Sequence, residues 1–207
     1  NDLQFHLSLS SIQRGTRQAE TETWSASTWS DLRSINYYLE HSVKCTNEDV
    51  RKKYDGIAYF FRAVFYYEKV RKYGDIPFYD HVISDSDKES LYRPRDSRGF
   101  VMQKIMEDLD RAIDGLPVSW SEGVYRINKY AAYALKSRIA LFEGTWRKYH
   151  DIADESYTKD DGTTITLSSA YFLQLAADAA KAVMESGKYR MYNGATIVKG
   201  QPYRDYF

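Results

Sequence analysis

Two pairs of carboxylates stand two residues apart in the sequence, and paired carboxylates are what glycoside hydrolysis requires. The pairs are Glu20/Glu22 and Asp85/Asp87. Acid–base catalysis needs such groups held at a fixed separation across a cleft. Both pairs lie in polar segments without sustained periodicity, where side chains are usually solvated. We therefore expect no enzyme activity and keep a hydrolase that uses Glu20 or Glu22 as a minor alternative.

Other catalytic and metal-binding patterns are missing from the sequence. It contains no phosphate-binding glycine loop, no G-x-S-x-G elbow and no H-E-x-x-H helix. The single cysteine, Cys45, excludes a disulfide framework or a cysteine zinc site. The four histidines have no acid or second histidine at metal-ligand spacing on a predicted helix; they are His6, His41, His81 and His150. We expect neither a metal nor a cofactor.

Aromatic residues outside the predicted helices are more informative. Exposed rings with polar neighbours form stacking platforms for sugars, although rings on loops more often cover the core, since burying one contributes roughly 1.5–3 kcal/mol. Trp24 is the strongest exception, because its segment RGTRQAETETW supplies hydrogen-bonding partners for hydroxyl groups. The predicted glycan-binding residues are Trp24, Arg17, Glu20 and Tyr79.

Composition restricts the class of protein. Lys+Arg and Asp+Glu both total 29, so no net field attracts nucleic acid. A hydrophobic fraction of 43% is enough for a core, and 19 tyrosines dominate an aromatic share of 15%. The longest apolar run, IAYFFRAVFYY, contains an arginine and is too short to span a bilayer. The chain starts without a signal peptide, which suggests a processed or truncated piece of a longer protein.

Five helices are predicted, and they define an all-α chain. Their apolar residues recur at steps of three and four, and capping residues mark several ends. The long second helix has apolar residues over so wide an arc that we expect neighbours on two sides of it. Only TTITL has the pattern of a strand. The predicted helices lie in STWSDLRSINYYLEHS, at about 48–73, from a cap at Asp96 or Ser97 to Gly115, from Asn128 to about Arg147, and at about 169–186.

The second and fourth predicted helices resemble each other. RAVFYYEKVRKYGD, from Arg62, shares five identical positions with RIALFEGTWRKYHD, from Arg138. The helices that follow them also match, because DLDRAID begins at Asp108 and DAAKAVM at Asp178. Two matches in the same order indicate a duplicated antiparallel helical hairpin, as in tetratricopeptide-like repeats with long irregular loops. We expect Phe65 and most rings up to Tyr73 to belong to the buried scaffold.

Four motifs in order, the last of them a pair of helices, resemble the SusD-like (RagB/SusD) family. EDVRKKYDGIAYFFRAVFYYEKVRKYGDIPFYD resembles its signature helix, in which an arginine-containing aromatic helix ends in a Tyr-Gly-Asp-x-Pro turn. WSDLRSINYYLE resembles the first helix of the family, and MEDLDRAIDGLP its Asp-Leu-x-x-Ala helix. YRINKYAAYALKSRIALFEGTW and AADAAKAVMESGKYRMY resemble its later alanine-rich pair. The resemblance covers most of residues 29–207.

The resemblance implies a surface-exposed, lipid-anchored protein of the Bacteroidetes outer membrane. Such proteins bind glycans or other nutrients and cap a TonB-dependent (SusC-like) transporter. The chain lacks the family's lipidated cysteine and C-terminal half, which fits a trimmed chain. We expect an extended segment at 1–28, with ligand contacts, and a tetratricopeptide-like helical domain at 29–207. A helical-repeat scaffold that binds a peptide or protein is the alternative.

Overall fold

The structure, a computed structural model, describes residues 11, 13–16, 24–121 and 125–189. Within these ranges the chain forms six helices and one antiparallel two-stranded hairpin, so the predicted all-α fold with antiparallel helical hairpins is confirmed. The elements are α1 (Ala26–Ser42), α2 (Glu48–Tyr73), α3 (Lys88–Leu91), α4 (Arg98–Gly115), α5 (Lys129–Tyr149), β1 (Glu155–Thr158), β2 (Thr164–Leu167) and α6 (Ser169–Glu185).

The ends of α2 follow from local chemistry. The Asn47 side chain accepts a hydrogen bond from Val50 N at 3.1 Å, which satisfies one of the unpaired amides of the first turn. Gly74 adopts a φ of 73°, and its N–H donates to Val70 O at 2.9 Å. Because a residue with a Cβ rarely adopts this conformation, glycine is the natural end of the helix. The predicted bounds of α2 are confirmed.

Caps set the other long helices as well. The Ser97 hydroxyl accepts from Phe100 N, and the Ser168 hydroxyl accepts from Tyr171 N. Two short elements lie where the sequence predicts only loop. The first is α3, whose four residues begin after the Asp87 cap. The second is β1, which pairs with the predicted strand β2 in the register Glu155 with Leu167.

The chain divides into two compact units, residues 1–132 with 154–167 and residues 133–153 with 168–207. In the first unit, α2 and α4 run antiparallel and approach closely at their ends. A Cβ atom on Gly115 would lie 2.3 Å from the carbonyl oxygen of Lys52. A Cβ on Gly56 would lie 3.0 Å from Leu116 N. Glycine at both positions therefore permits the close helix contact.

The wide apolar arc of α2 is not covered evenly. Ala63, Tyr66 and Val70 are fully buried, as expected for one face. On the other face Phe61 is 46% exposed. As predicted, α2 has two neighbours, α1 and α4, but α1 covers the Phe61 face only in part. Helical periodicity shows which residues are apolar, but it does not show how completely neighbouring helices cover them.

The second unit contains its own antiparallel hairpin, formed by α5 and α6. The Ser137 hydroxyl donates to Ala176 O at 2.8 Å, and the Ser169 hydroxyl donates to Gly144 O at 2.8 Å. Glu143 and Arg147 form a buried ion pair at 2.9 Å. This hairpin corresponds to the predicted second repeat.

The repeat does not extend to the ion pairs. Arg62 and Asp108 are buried and bonded to each other in the first unit. Their sequence counterparts, Arg138 and Asp178, are both exposed. The two hairpins therefore share an architecture and an apolar pattern, while each buries a different pair of charges.

Candidate functional site

Tyr79 lies in the segment that follows Gly74, after the end of α2. Asp96 and Arg93 hold the backbone of this segment in place. Asp96 N donates to Ile76 O at 3.1 Å, and an Asp96 carboxylate oxygen accepts from Phe78 N at 2.7 Å. Arg93 donates to Phe78 O at 3.1 Å. Ile76 and Phe78 are buried. The loop is therefore held by apolar anchors and by backbone hydrogen bonds on both sides of Tyr79.

Two side chains from the helices bond the backbone of Tyr79 itself. The Tyr66 hydroxyl donates to Tyr79 O at 3.0 Å and accepts from Tyr79 N at 2.6 Å. Asn36 Nδ2 donates to Tyr79 O and to His81 O, each at 3.0 Å. Burial raises the pKa of Tyr66 well above its ordinary value, against the effect of its bond to Tyr79. The phenol therefore stays neutral and can both donate and accept.

A buried ion pair completes this support. Arg62 Nε and Nη2 each lie 2.7 Å from an oxygen of Asp108, the bidentate geometry that guanidinium and carboxylate prefer. Arg62 Nη1 also donates to Asn36 Oδ1 at 3.2 Å and to Asp80 O at 3.3 Å. A buried charge destabilises the fold unless it is paired and hydrogen-bonded. The full set of contacts therefore offsets the cost of burying Arg62. The network joins α1, α2 and α4 to the loop.

Three aromatic rings lie together beside this loop. Trp24 contacts Trp29 with ring centroids 5.0 Å apart and planes at 73°. Trp29 in turn contacts Tyr79 at 6.2 Å and 70°. All three are partly exposed. We call Trp24, Trp29 and Tyr79 the ring cluster.

The ring cluster brings two of the predicted site residues, Trp24 and Tyr79, to either side of Trp29. Arg17 and Glu20 lie outside the described residues, as does Glu22. Sequence reasoning missed Trp29, because its spacing placed it on the apolar stripe of α1. Its position in the first turn of α1, five residues after Trp24, was the signal that could have singled it out.

A groove of about 420 Å³ opens beside the ring cluster. Its apolar side is formed by Trp29, Tyr79 and Leu91, and its polar side includes Arg33 and His81. Arg33 Nη1 donates to Ile83 O at 2.8 Å, which holds the guanidinium at the edge of the groove. Apolar surfaces with a few placed polar groups are typical of small-molecule sites.

The remaining candidates for catalysis have local roles. Asp85 accepts from the Ser84 hydroxyl at 3.3 Å, and Asp87 accepts from Ser90 N at 3.1 Å as the cap of α3. No three residues of the types that ligate metals cluster among the described residues. Within the same ranges, none of the helices is both long and apolar enough to cross a membrane.

Comparison with known proteins agrees with this architecture. A SusD-like family model, described as "Starch-binding associating with outer membrane", matches residues 6–141. A SusD-like protein from Bacteroides fragilis is 28% identical, with a TM-score of 0.61 over 80% of this chain and 27% of that chain. A SusD homolog from Bacteroides thetaiotaomicron is 22% identical, with a TM-score of 0.62 over 87% of this chain and 32% of that chain.

A further solved structure is described with a xylogluco-oligosaccharide. It is 23% identical, with a TM-score of 0.57 over 80% of this chain and 30% of that chain. No curated protein matches the chain. The chain spans about a third or less of the length of these solved structures. Since the family model covers more than half of the sequence, the chain belongs to the SusD-like family.

Proposed function

We propose that the chain binds an oligosaccharide at the ring cluster and takes part in nutrient capture at the bacterial outer surface. The observation that carries this proposal is the position of Trp29 and Tyr79 along a groove of about 420 Å³ with Arg33 and His81 at its polar side. The family description, starch-binding and associated with the outer membrane, supports it. So does the xylogluco-oligosaccharide named for one structural neighbour.

The chemistry of the groove suits a sugar. Apolar C–H faces of a pyranose pack on indole and phenol rings, while hydroxyl groups need donors and acceptors at the edge. Arg33 has five N–H donors, of which one is used by Ile83 O. An open groove with few polar contacts implies weak binding, with dissociation constants of about micromolar to millimolar. Weak binding suits a protein that must release its ligand quickly.

The proposed role includes partners outside this chain. Released sugar passes to a TonB-dependent, SusC-like transporter in the outer membrane. A lipid anchor outside this chain holds the protein at the cell surface. The proposed role is binding without catalysis; of the paired carboxylates, Asp85 and Asp87 serve a turn and a helix cap.

Alanine substitutions in the ring cluster test the proposal. We expect Trp29→Ala and Trp24→Ala to weaken glycan binding about tenfold or more, because each removes a stacking ring. Isothermal titration against a panel of neutral and acidic oligosaccharides measures the effect. Tyr125→Ala is the matched control, since Tyr125 is 84% exposed and does not line the groove. Circular dichroism checks that each variant keeps the fold. Unchanged affinity in both tryptophan variants would show that the site lies elsewhere.

One observation favours a second candidate, a scaffold that binds a peptide. A cavity of about 460 Å³ between α1 and α2 is lined by helix side chains, among them Ile35, Phe61 and Val64. Apolar grooves between helices accept amphipathic peptide helices. Titration of a peptide library alongside the glycans separates the two functions. Peptide binding that Phe61→Ser abolishes, together with no glycan signal, would replace the first proposal by the second.

A further inference from the structure

A second cavity, of about 270 Å³, lies between α1 and α2 near the ring cluster. It is lined by Thr28, Asp31, Phe65, Glu68, Lys69 and Lys72. Lys69 is the unusual member, because only 4% of it is exposed. Lysine is almost never so deeply buried without a specific reason. Its side chain forms part of the cavity wall.

Aromatic rings surround this ammonium. Lys69 Nζ lies 5.8 Å from the ring centroid of Trp24, 5.5 Å from that of Trp29 and 5.2 Å from that of Phe65. It also donates to Thr28 Oγ1 at 3.1 Å. Cation–π contacts of this kind partly offset the loss of water around a charge. Two of the three rings belong to the ring cluster, so the cation lies next to the proposed sugar-binding rings.

The cavity wall carries two lysines, Lys69 and Lys72, and two carboxylates, Asp31 and Glu68. Burial lowers the pKa of Lys69, the nearby Lys72 lowers it further, and Asp31 opposes both. The other carboxylate in the cavity wall, Glu68, already accepts from Arg71 at 2.7 Å. A carboxylate that entered the cavity would lie against two ammonium groups. Charge-assisted hydrogen bonds of this type are about twice as strong as neutral ones.

We propose that the ligand of the site is a carboxylated sugar, whose pyranose ring packs on the indole of Trp24 or Trp29 and whose carboxylate binds Lys69 and Lys72. This inference rests on the proposed function and specifies its ligand class. A uronic acid and a sialic acid share the required chemistry, a carboxylate attached to the same ring that offers C–H groups to an indole. A neutral sugar offers only the second feature.

Matched pairs of ligands test the charge alone. Trigalacturonate is compared with its methyl ester, and sialyllactose with lactose, by isothermal titration at low salt. We expect the acidic member of one pair to bind about tenfold or more tightly than its neutral partner. The pair that shows the difference identifies which carboxylated sugar fits. Addition of salt should reduce the difference, because screening weakens partly exposed ion pairs.

Substitutions then place the effect at the cavity. We expect Lys69→Met to remove the preference for the acidic ligand, since methionine fills a similar space without charge. Lys72→Met should reduce the preference as well. Lys53→Met is the control, because Lys53 is an exposed lysine of the same helix that does not line the cavity. It should change nothing, as exposed charges contribute little.

The outcomes distinguish this inference from the proposed function. Neutral sugars that bind as tightly as acidic ones would overturn the inference and leave the proposed function standing. Binding of no sugar at all would overturn both. If the preference for the acidic ligand persisted in both Lys69→Met and Lys72→Met, the carboxylate would not bind in this cavity. If Lys69→Met fails the circular dichroism check of folding, Lys72→Met decides the question alone, because Lys72 is exposed and its loss leaves the core intact.

Discussion

At the scale of single residues, Tyr66 connects the helical scaffold to the proposed site. Its ring is fully buried, and its hydroxyl bonds both backbone groups of Tyr79. A deleted hydroxyl would leave the partly buried N–H and carbonyl of Tyr79 with one partner fewer each. Such loss costs about 1–3 kcal/mol. We therefore expect Tyr66→Phe to lower the free energy of unfolding by this amount and to weaken glycan binding through a less fixed Tyr79.

Urea denaturation measures the first effect and isothermal titration the second. Tyr125→Phe is the matched control, because Tyr125 is 84% exposed and its change should stay within about 0.5 kcal/mol. Equal stability of Tyr66→Phe and the control would show that the hydroxyl is not what holds the loop. Lower stability with unchanged glycan affinity would show that this hydroxyl stabilises the loop but does not affect ligand binding.

Residues differ in how far the sequence predicts them. Trp24 and Tyr79 can be proposed as ligand contacts because they lie outside helical periodicity and beside polar groups. Lys69 cannot be singled out in this way. A lysine within an aromatic helix is expected to be solvated, and its burial depends on the rings of Trp24 and Trp29, which only the folded chain brings near it. Non-local contacts of this kind leave no mark in the local pattern.

At the scale of elements, the long helices are predictable because their ends are set by neighbours in sequence. Asn47 and Ser97 bond amides only three residues away. The hairpin is different. TTITL has β-branched residues that suggest a strand, but its partner Glu155–Thr158 has no clear alternation. Only Tyr157 of that strand is buried, and its hydroxyl donates to Glu107 of α4 at 2.8 Å. A contact between distant segments therefore decides whether the strand forms.

Close contact between α2 and α4 supplies a prediction at this scale. A Cβ on Gly115 would lie 2.3 Å from the backbone oxygen of Lys52, and backbone cannot move aside easily. We expect Gly115→Ala to lower the free energy of unfolding by about 1–3 kcal/mol or more, as overpacking does. Chemical denaturation checks this value.

Gly144→Ala provides the comparison within the second unit. Its Cβ would lie 2.7 Å from Leu173 Cγ and 3.0 Å from Leu173 N, a less severe overlap with backbone than at Gly115. We expect a smaller loss there, offset in part by the better helix propensity of alanine. If Gly144→Ala proved the more costly change, the idea that backbone contact fixes the α2–α4 approach would be wrong.

At the scale of the whole molecule, the charge balance limits the partners. The net charge is zero at neutral pH, with 29 residues of each sign. We expect no measurable binding to double-stranded DNA at physiological salt, because non-specific binding of DNA depends on many basic contacts. Fluorescence anisotropy with a labelled duplex tests this. Binding of DNA at that salt would reveal a local basic surface that the composition conceals. A specific acidic sugar remains compatible, since two placed lysines suffice for one carboxylate.

In the described part of the chain, the pair Trp24 and Trp29 can report ligand binding through its optical signals. Trp24 and Trp29 lie 5.0 Å apart with nearly perpendicular rings, and both face the ammonium of Lys69. Indoles this close share their excited states, and a neighbouring cation shifts their emission. A ligand that stacks on either ring or neutralises the cation will therefore change the near-ultraviolet circular dichroism and the fluorescence of the chain. Binding of the proposed ligand can therefore be tested in the unlabelled protein, in real time and at low concentration.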